Sequence, residues 1–333
     1  MRDRTTIIRT VLFVASMLAI LAGLLLAMRR GDGEERRYRI SVIVDRSADA
    51  RWLSFRAGLE QAAEECNLAI NIVPTDHLGS LTEASKLASE EIAQGADGLI
   101  MELCVSTGAG AMVNDLSGQT VLALVETQAD TEAGAGGSFA YFKPDNEGIG
   151  RALAALLTDA YGDALSGMRI GVMSGRQTQT AMRERLKGFT EAVAQTGAQI
   201  VWTSDYVPSM AKRLEIRQQE DDADVIVALD NVDLEVAVDH VLALRDSGET
   251  EDIPALYGVG NSEKNVYHLD GGVIGGMVVP DEYDMGYRAA VAVSGRLDLK
   301  TAPMQDATVG FLSVTRDTMF QPDNERLLFP VAQ

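Results

Sequence analysis

Three short polar clusters in this 333-residue chain carry side chains suited to gripping a small polar molecule. The first, Asp45-Arg-Ser-Ala-Asp-Ala-Arg-Trp52, follows an apolar run and combines carboxylates, guanidinium donors and one large aromatic. An indole at such a place can stack on the apolar face of a sugar or another flat ligand, or pack as a helix-start residue against its own domain. The second cluster is Arg183-Glu-Arg185, near the beginning of a helical stretch. The helix dipole disfavours cations there, so Arg183 is explained either by reaching into a cleft, where its five fixed donors fork onto hydroxyls or a carboxylate, or by a surface ion pair with Glu184. The third, Asp230-Asn231, offers acceptor and amide groups directly after an apolar run, and the same short side chains suit a cap on the helix starting near Val232.

The chemistry the chain lacks narrows the reading. It contains no nucleophile elbow, no HExxH and no evident Ser/His/Asp set, so catalysis has no candidate residue. Gly134-Ala-Gly-Gly137 and Gly271-Gly-Val-Ile-Gly-Gly276 lack phosphate-loop spacing; the first reads as a flexible loop, the second as a turn entering a buried strand. His77, His240 and His268 show no zinc spacing, and no metal or cofactor is expected. Cys66 and Cys104 are the only cysteines; they are placed at opposite edges of one sheet, too far apart to bridge. A net charge of -20 argues against nucleic-acid binding by bulk electrostatics.

The elements that position these clusters come from hydrophobic patterning. Apolar strands are expected at 40–44, 69–73, 98–103 and 120–125, and again at 169–173, 199–203, 225–229, 255–259 and 273–279. Helices are expected at 52–66, 82–94, 148–161, 182–195 and 234–247. Near-continuous apolar strands alternating with helices predict an α/β fold with parallel sheets covered on both faces. Residues 39–70 and 169–200 align without a gap: Arg39, Ile40, Val42, Arg46, Gly58, Ala62 and Ile70 match Arg169, Ile170, Val172, Arg176, Gly188, Ala192 and Ile200. A strand-loop-helix-strand unit written twice predicts two similar lobes, and ligands of such sheets bind beyond the strands' carboxyl ends. The loops at issue are 45–51, 102–108, 126–137, 174–181 and 230–233.

Residues 10–28 form an uncharged apolar run bracketed by Arg9 and Arg29-Arg30, long enough to cross a bilayer at about 1.5 Å per residue. The only small residue near its end is Ala27, with Leu25 two before it, which favours a retained anchor over a cleaved signal peptide. The expected plan is a short cytoplasmic N-terminus (1–9), a single-pass transmembrane segment (10–28), a linker (29–37) and an extracytoplasmic two-lobe domain.

In the order and spacing of several weak marks the chain resembles the type I periplasmic (solute) binding proteins of the ribose and galactose group. The marks are the opening strand followed by Trp52 and Gly58, Asp145-Asn146 with Gly148 before a helix, Met182-Arg-Glu-Arg185 with Gly188-Phe189, Asp230-Asn231, and Pro280-Asp281 after a strand. The resemblance covers about residues 38–310. It implies two doubly wound Rossmann-like lobes joined by a three-crossover hinge, lobe 1 from 38–144 plus 280–305 and lobe 2 from 145–279 plus 306–333, with a ligand clasped between them by hinge closure. On matched positions, Asp49, Arg51, Trp52 and Glu126 would face the ligand from lobe 1, and Arg183 and Asp230, with Asn231 beside it, from lobe 2. Three departures stand out. Glu126-Thr127 replaces the Asp-Arg pair common in the sugar binders, Gly260 stands where an aspartate is expected, and Val278 or Val279 replaces a polar residue at the second crossover.

The function implied is non-enzymatic capture of a small polar ligand, a sugar or sugar-like compound, for delivery to the permease of an ABC importer or presentation to a sensor histidine kinase. The rival from another class is a membrane-anchored enzyme on a related two-lobe scaffold.

Overall fold

The computed structural model describes residues 37–130, 138–248, 253–299 and 303–329, together with Met17. The expected membrane segment, the linker up to residue 36 and the glycine-rich stretch 134–137 therefore lie outside the described residues, Met17 apart. Among those described, no helix is long and apolar enough to cross a membrane.

The first lobe opens with β1 (Tyr38–Ile43), α1 (Leu53–Glu65) and β2 (Leu68–Ile72), continues through α2 (Leu81–Ala93), β3 (Gly98–Glu102), α3 (Gly110–Gln119) and β4 (Val121–Val125), and ends on β5 (Phe139–Pro144). The second follows the same plan: α4 (Asn146–Tyr161), β6 (Arg169–Met173), α5 (Thr180–Val193), β7 (Gln199–Ser204), α6 (Met210–Glu220), β8 (Val225–Ala228), α7 (Asn231–Asp246), β9 (Ala255–Val259), α8 (Glu263–Asp270) and β10 (Ile274–Pro280). The chain then returns to the first lobe as α9 (Glu282–Asp298) and closes with β11 (Ala307–Val309), β12 (Phe311–Val314) and α10 (Pro322–Leu328).

Two six-stranded sheets result, ordered β2-β1-β3-β4-β5-β11 and β7-β6-β8-β9-β10-β12. The central strands β3, β4 and β8 are buried at every position, as parallel strands sandwiched between helical layers must be. Each sheet has apolar clusters on both faces, one built around Leu59, Ile100 and Ala289 and another around Leu99, Leu116 and Leu124 in the first lobe.

The 130-residue repeat is realised atom by atom. The Arg39 amide bonds the Asp97 carboxylate at 2.9 Å and the Arg169 amide bonds Asp224 at 2.7 Å, so each aspartate before an inner strand ties it to the opening strand. Gly58 lets α1 approach the α9 backbone, where a Cβ would collide with the Tyr283 carbonyl. Gly188 lets α5 approach α4, where a Cβ would collide with the Glu147 carbonyl. Gly286 and Gly150 answer from the partner helices, against the carbonyls of Phe55 and Arg185. Two equivalent helix pairs thus pack backbone to backbone, one per lobe.

The chain passes between the sheets after Pro144, after Pro280 and at Gly310. The third passage departs from the expected boundary at 305/306: β11 pairs parallel with β5, so Ala307–Val309 belongs to the first sheet. The run continues without turning into β12, which is antiparallel to β10. This follows from geometry, because both sheets aim their strands' carboxyl ends at the hinge and a segment running straight through must approach in one sheet and recede in the other. Cys104 also departs from expectation. It follows β3 in the sheet's interior, and both cysteines are free thiols.

Candidate functional site

The loops after β1, β3 and β4 face those after β6, β8 and β9 across a cleft, and the facing groups are in contact. The Ser106 amide donates to the Thr178 carbonyl at 2.9 Å and Gln179 Nε2 to the Leu103 carbonyl at 3.0 Å. Helix α5 has no side-chain cap of its own at Gln179. Its orphan amides are satisfied from the opposite lobe: Thr180 N bonds Ser106 Oγ at 2.9 Å and Ala181 N bonds Thr127 Oγ1 at 3.1 Å, the two hydroxyls lying 3.1 Å apart. At the mouth, Arg176 Nη2 pairs with Asp45 Oδ2 at 2.9 Å. Burial pushes the Asp45 carboxyl up, but the Leu78 amide, Arg176, Arg46 and His77 together hold it below the usual range.

Deeper in, three carboxylates and two guanidinium groups share a buried space. Arg51 Nη2 reaches Glu102 Oε1 at 2.9 Å, and Gln179 Nε2 reaches the same oxygen from the other lobe at 3.1 Å. Arg185, 2% exposed, donates Nε to Asn146 Oδ1 at 2.9 Å, Nη1 to the Leu229 carbonyl at 3.0 Å and Nη2 to Glu126. Glu126 adopts φ 66°, a left-handed backbone that costs a residue with a Cβ, and Asn146 Nδ2 holds its carbonyl at 3.4 Å. Glu282 accepts from Asn261 Nδ2 at 2.8 Å and, among the described residues, makes no ion pair. Burial, reinforced by the Glu126 charge, pushes its carboxyl up to about 8.

The residues expected at the site are distributed unevenly. Arg51 and Glu126 lie in this buried cluster, and Asp49 caps the short 3-10 turn Ala50–Trp52 through the Arg51 amide. Trp52 is 1% exposed. Its Nε1 bonds the Asp45 carbonyl at 3.0 Å, its ring leans on Phe55, and its face is covered by the Arg51 guanidinium 4.0 Å from the ring centroid. The indole therefore packs on its own lobe, and what it stacks on is a cation of the same chain. Arg183 stays at the rim, bonding the Gln177 carbonyl at 2.9 Å and Thr180 Oγ1 at 3.0 Å, with Asp130 at 3.8 Å; Glu184 pairs with Lys143 instead. Asp230 caps α7 through Asp233 N at 2.8 Å. Asn231 Oδ1 receives the amides of Asn261 and Ser262 and Asn265 Nδ2, so its role is to hold the β9–α8 loop.

Glu102, Gln179, Asn261 and Glu282 are not among the residues the sequence singles out, and Arg185 is named there only beside Arg183. Arg185 was the better arginine of its pair: two helical steps turn a side chain by about 200°, so Arg183 and Arg185 point in nearly opposite directions. A signal existed for Glu282. Pro144-Asp145-Asn146 and Pro280-Asp281-Glu282 are the same construction, in which proline ends a strand, aspartate caps the next helix (Gly148 N at 2.8 Å, Asp284 N at 2.9 Å) and the third residue enters the cleft.

The comparisons agree with this geometry. Among curated proteins no sequence matches the chain significantly. Among solved structures, an Agrobacterium radiobacter carbohydrate transporter solute binding protein in complex with D-arabinose superposes with a TM-score of 0.77 at 17% identity, covering 89% of this chain and 100% of that one. The Caulobacter myo-inositol binding protein bound to myo-inositol gives 0.73 at 17%, covering 88% and 98%. The XylFII-LytSN complex gives 0.71 at 16%, covering 85% and 99%. At these identities the likeness speaks for the fold. Residues 40–300 match the periplasmic binding protein domain, and with two sheets of one plan joined by three strand passages around a shared cleft, the chain belongs to the periplasmic binding protein family, in its type I form.

Proposed function

We propose that the protein is an extracytoplasmic solute-binding protein, held at the membrane by residues 10–28, that closes on a small sugar or sugar-like compound and returns it chemically unchanged. The observation that carries this reading is the cleft itself: polar groups from both lobes converge beyond the carboxyl ends of two sheets that, among the described residues, three strand passages join. Hinge motion about such passages opens and closes the space between lobes. The solved structures of like fold with D-arabinose and myo-inositol support a polyol-sized ligand. The contacting residues are Arg51, Glu102, Glu126, Gln179, Asn261 and Glu282, framed by Asp49, Trp52, Asp230 and Asn231, with Arg183 at the entrance. The closed form is offered to a partner at the membrane, either an importer's permease or the outer domain of a sensor kinase, and the likeness to the XylFII-LytSN complex makes a two-protein assembly a reasonable expectation. The test is a thermal-shift screen against sugars, polyols, nucleosides and amino acids, with mass spectrometry of any compound released on denaturation. Saturable stabilisation with the compound recovered intact supports the reading; turnover of the compound, or no stabilisation by any of these classes, refutes it.

A further inference from the structure

We infer that the ligand carries a cationic nitrogen, as an amino sugar or amino polyol does, and that this nitrogen takes the place the Arg51 guanidinium occupies between Trp52 and Glu102. The inference rests on reading the cleft as the ligand site and names the chemical class it selects. Three observations carry it. First, the Trp52 face beside the cleft is already stacked, at 4.0 Å, on a cation supplied by the chain, which is the arrangement that binds ammonium and guanidinium ligands. Second, the carboxylates outnumber the cations that can answer them. Glu102 is balanced by Arg51, and Glu282 lies 9% exposed without an ion pair among the described residues. Third, among the described residues the neighbouring cations Arg185 and Arg176 are already committed. Arg185 spends Nε, Nη1 and Nη2 on Asn146, Leu229 and Glu126, and Arg176 is committed to Asp45 at the mouth.

Together these set the charge of an acceptable ligand. A neutral polyol that displaced Arg51 would strand Glu102 as a buried charge, which is strongly unfavourable; one that left Arg51 in place would find the indole covered. A ligand whose ammonium replaces the guanidinium keeps the Glu102 ion pair, adds a counter-charge near Glu282, and frees Arg51 to move outward. Gln179 and Asn261, which already touch Glu102 and Glu282 from the second lobe, complete the enclosure.

The test reads the position and the ligand separately. In Arg51→Ala the vacated space should take up propylguanidinium: its addition should raise the thermal midpoint, its neutral analogue propylurea should not, and Glu102→Gln in the same background should abolish the gain. Should Arg51→Ala fail to fold, Arg51→Gln serves in its place. The full-length native chain is then titrated by calorimetry with the pairs D-glucosamine and D-glucose, D-galactosamine and D-galactose. The amine of at least one pair should bind tenfold or more tightly than its neutral partner. Equal response to propylguanidinium and propylurea, or neutral sugars binding as well as amines, overturns the cation preference and leaves the solute-binding reading standing. Absence of stabilisation by any compound in this set or in the wider screen overturns both.

Discussion

Glu282 is a residue whose chemistry departs far from its type. Its carboxyl rises from an ordinary 4.5 to about 8, first because it is buried and next because Glu126 is near. Between those values the folded chain binds more protons than the unfolded chain, so stability falls as pH rises across the window. Glu282→Gln removes this dependence. The difference in thermal midpoint, variant minus native, should grow in the variant's favour from pH 5 to pH 8.5; a constant difference would show that Glu282 does not titrate there. Asp233, pushed up by burial and by Asp230, acts in the same sense but is common to both proteins and cancels. The arginine pair on α5 gives a second expectation. Arg185→Ala leaves the Glu126 carboxylate buried without a partner and should cost about 3–5 kcal/mol in chemical denaturation. Arg183→Ala removes a rim contact 3.8 Å from Asp130 and should change stability by less than about 1 kcal/mol, its effect appearing in ligand affinity.

Elements meet in this protein through glycine. The helix pairs α1 with α9 and α4 with α5 approach so closely that Gly58, Gly286, Gly150 and Gly188 stand where any Cβ would strike a backbone carbonyl, which cannot yield as a side chain would. Gly188→Ala should therefore force α4 and α5 apart and cost about 1–3 kcal/mol, read as a lowered denaturation midpoint. Because Arg185 and Asn146 sit on these same two helices, the separation should also weaken the Arg185–Asn146 bond at the cleft. Gly118→Ala is the control: its Cβ would meet nothing within 4 Å, and the midpoint should hold or rise.

At the scale of the molecule, the contact that ties the two lobes together is a helix terminus capped from across the cleft. Ser106 and Thr127 supply acceptors that α5 lacks on its own side, so in the hinge motion proposed above closing would satisfy amides that water would satisfy when the lobes part. Thr127→Val removes the acceptor for Ala181 N without changing side-chain volume much, and should favour the open form by about 1–3 kcal/mol. Small-angle scattering of the ligand-free chain should then report a larger radius of gyration than for the native protein; an unchanged radius would exclude this contact as a latch. The departure of Thr127 from the arginine of related sugar binders acquires a reason here, since a threonine hydroxyl caps the helix while Glu126 turns to Arg185.

The repeat, the inner parallel strands and the two-lobe plan are legible in the sequence because they rest on local periodicity. A parallel strand buried on both faces must be continuously apolar, a helix that packs tightly must carry glycine at the contact, and both marks recur 130 residues apart. Periodicity could not say which polar residues share the cleft. Trp52 and Arg51 are neighbours in the chain, yet only the fold decides that one covers the other, and Arg183 and Arg185 differ only in the direction a helix gives them. Glu102, Glu126 and Glu282 come from three separated segments, and the repulsion between Glu126 and Glu282 and the burial that all three share exist only once sheet and hinge bring them within reach. The sequence by itself determined the scaffold, through short-range patterns of burial. The tertiary structure alone decided the charge of the site, because charge at a cleft is a sum over residues the chain holds far apart.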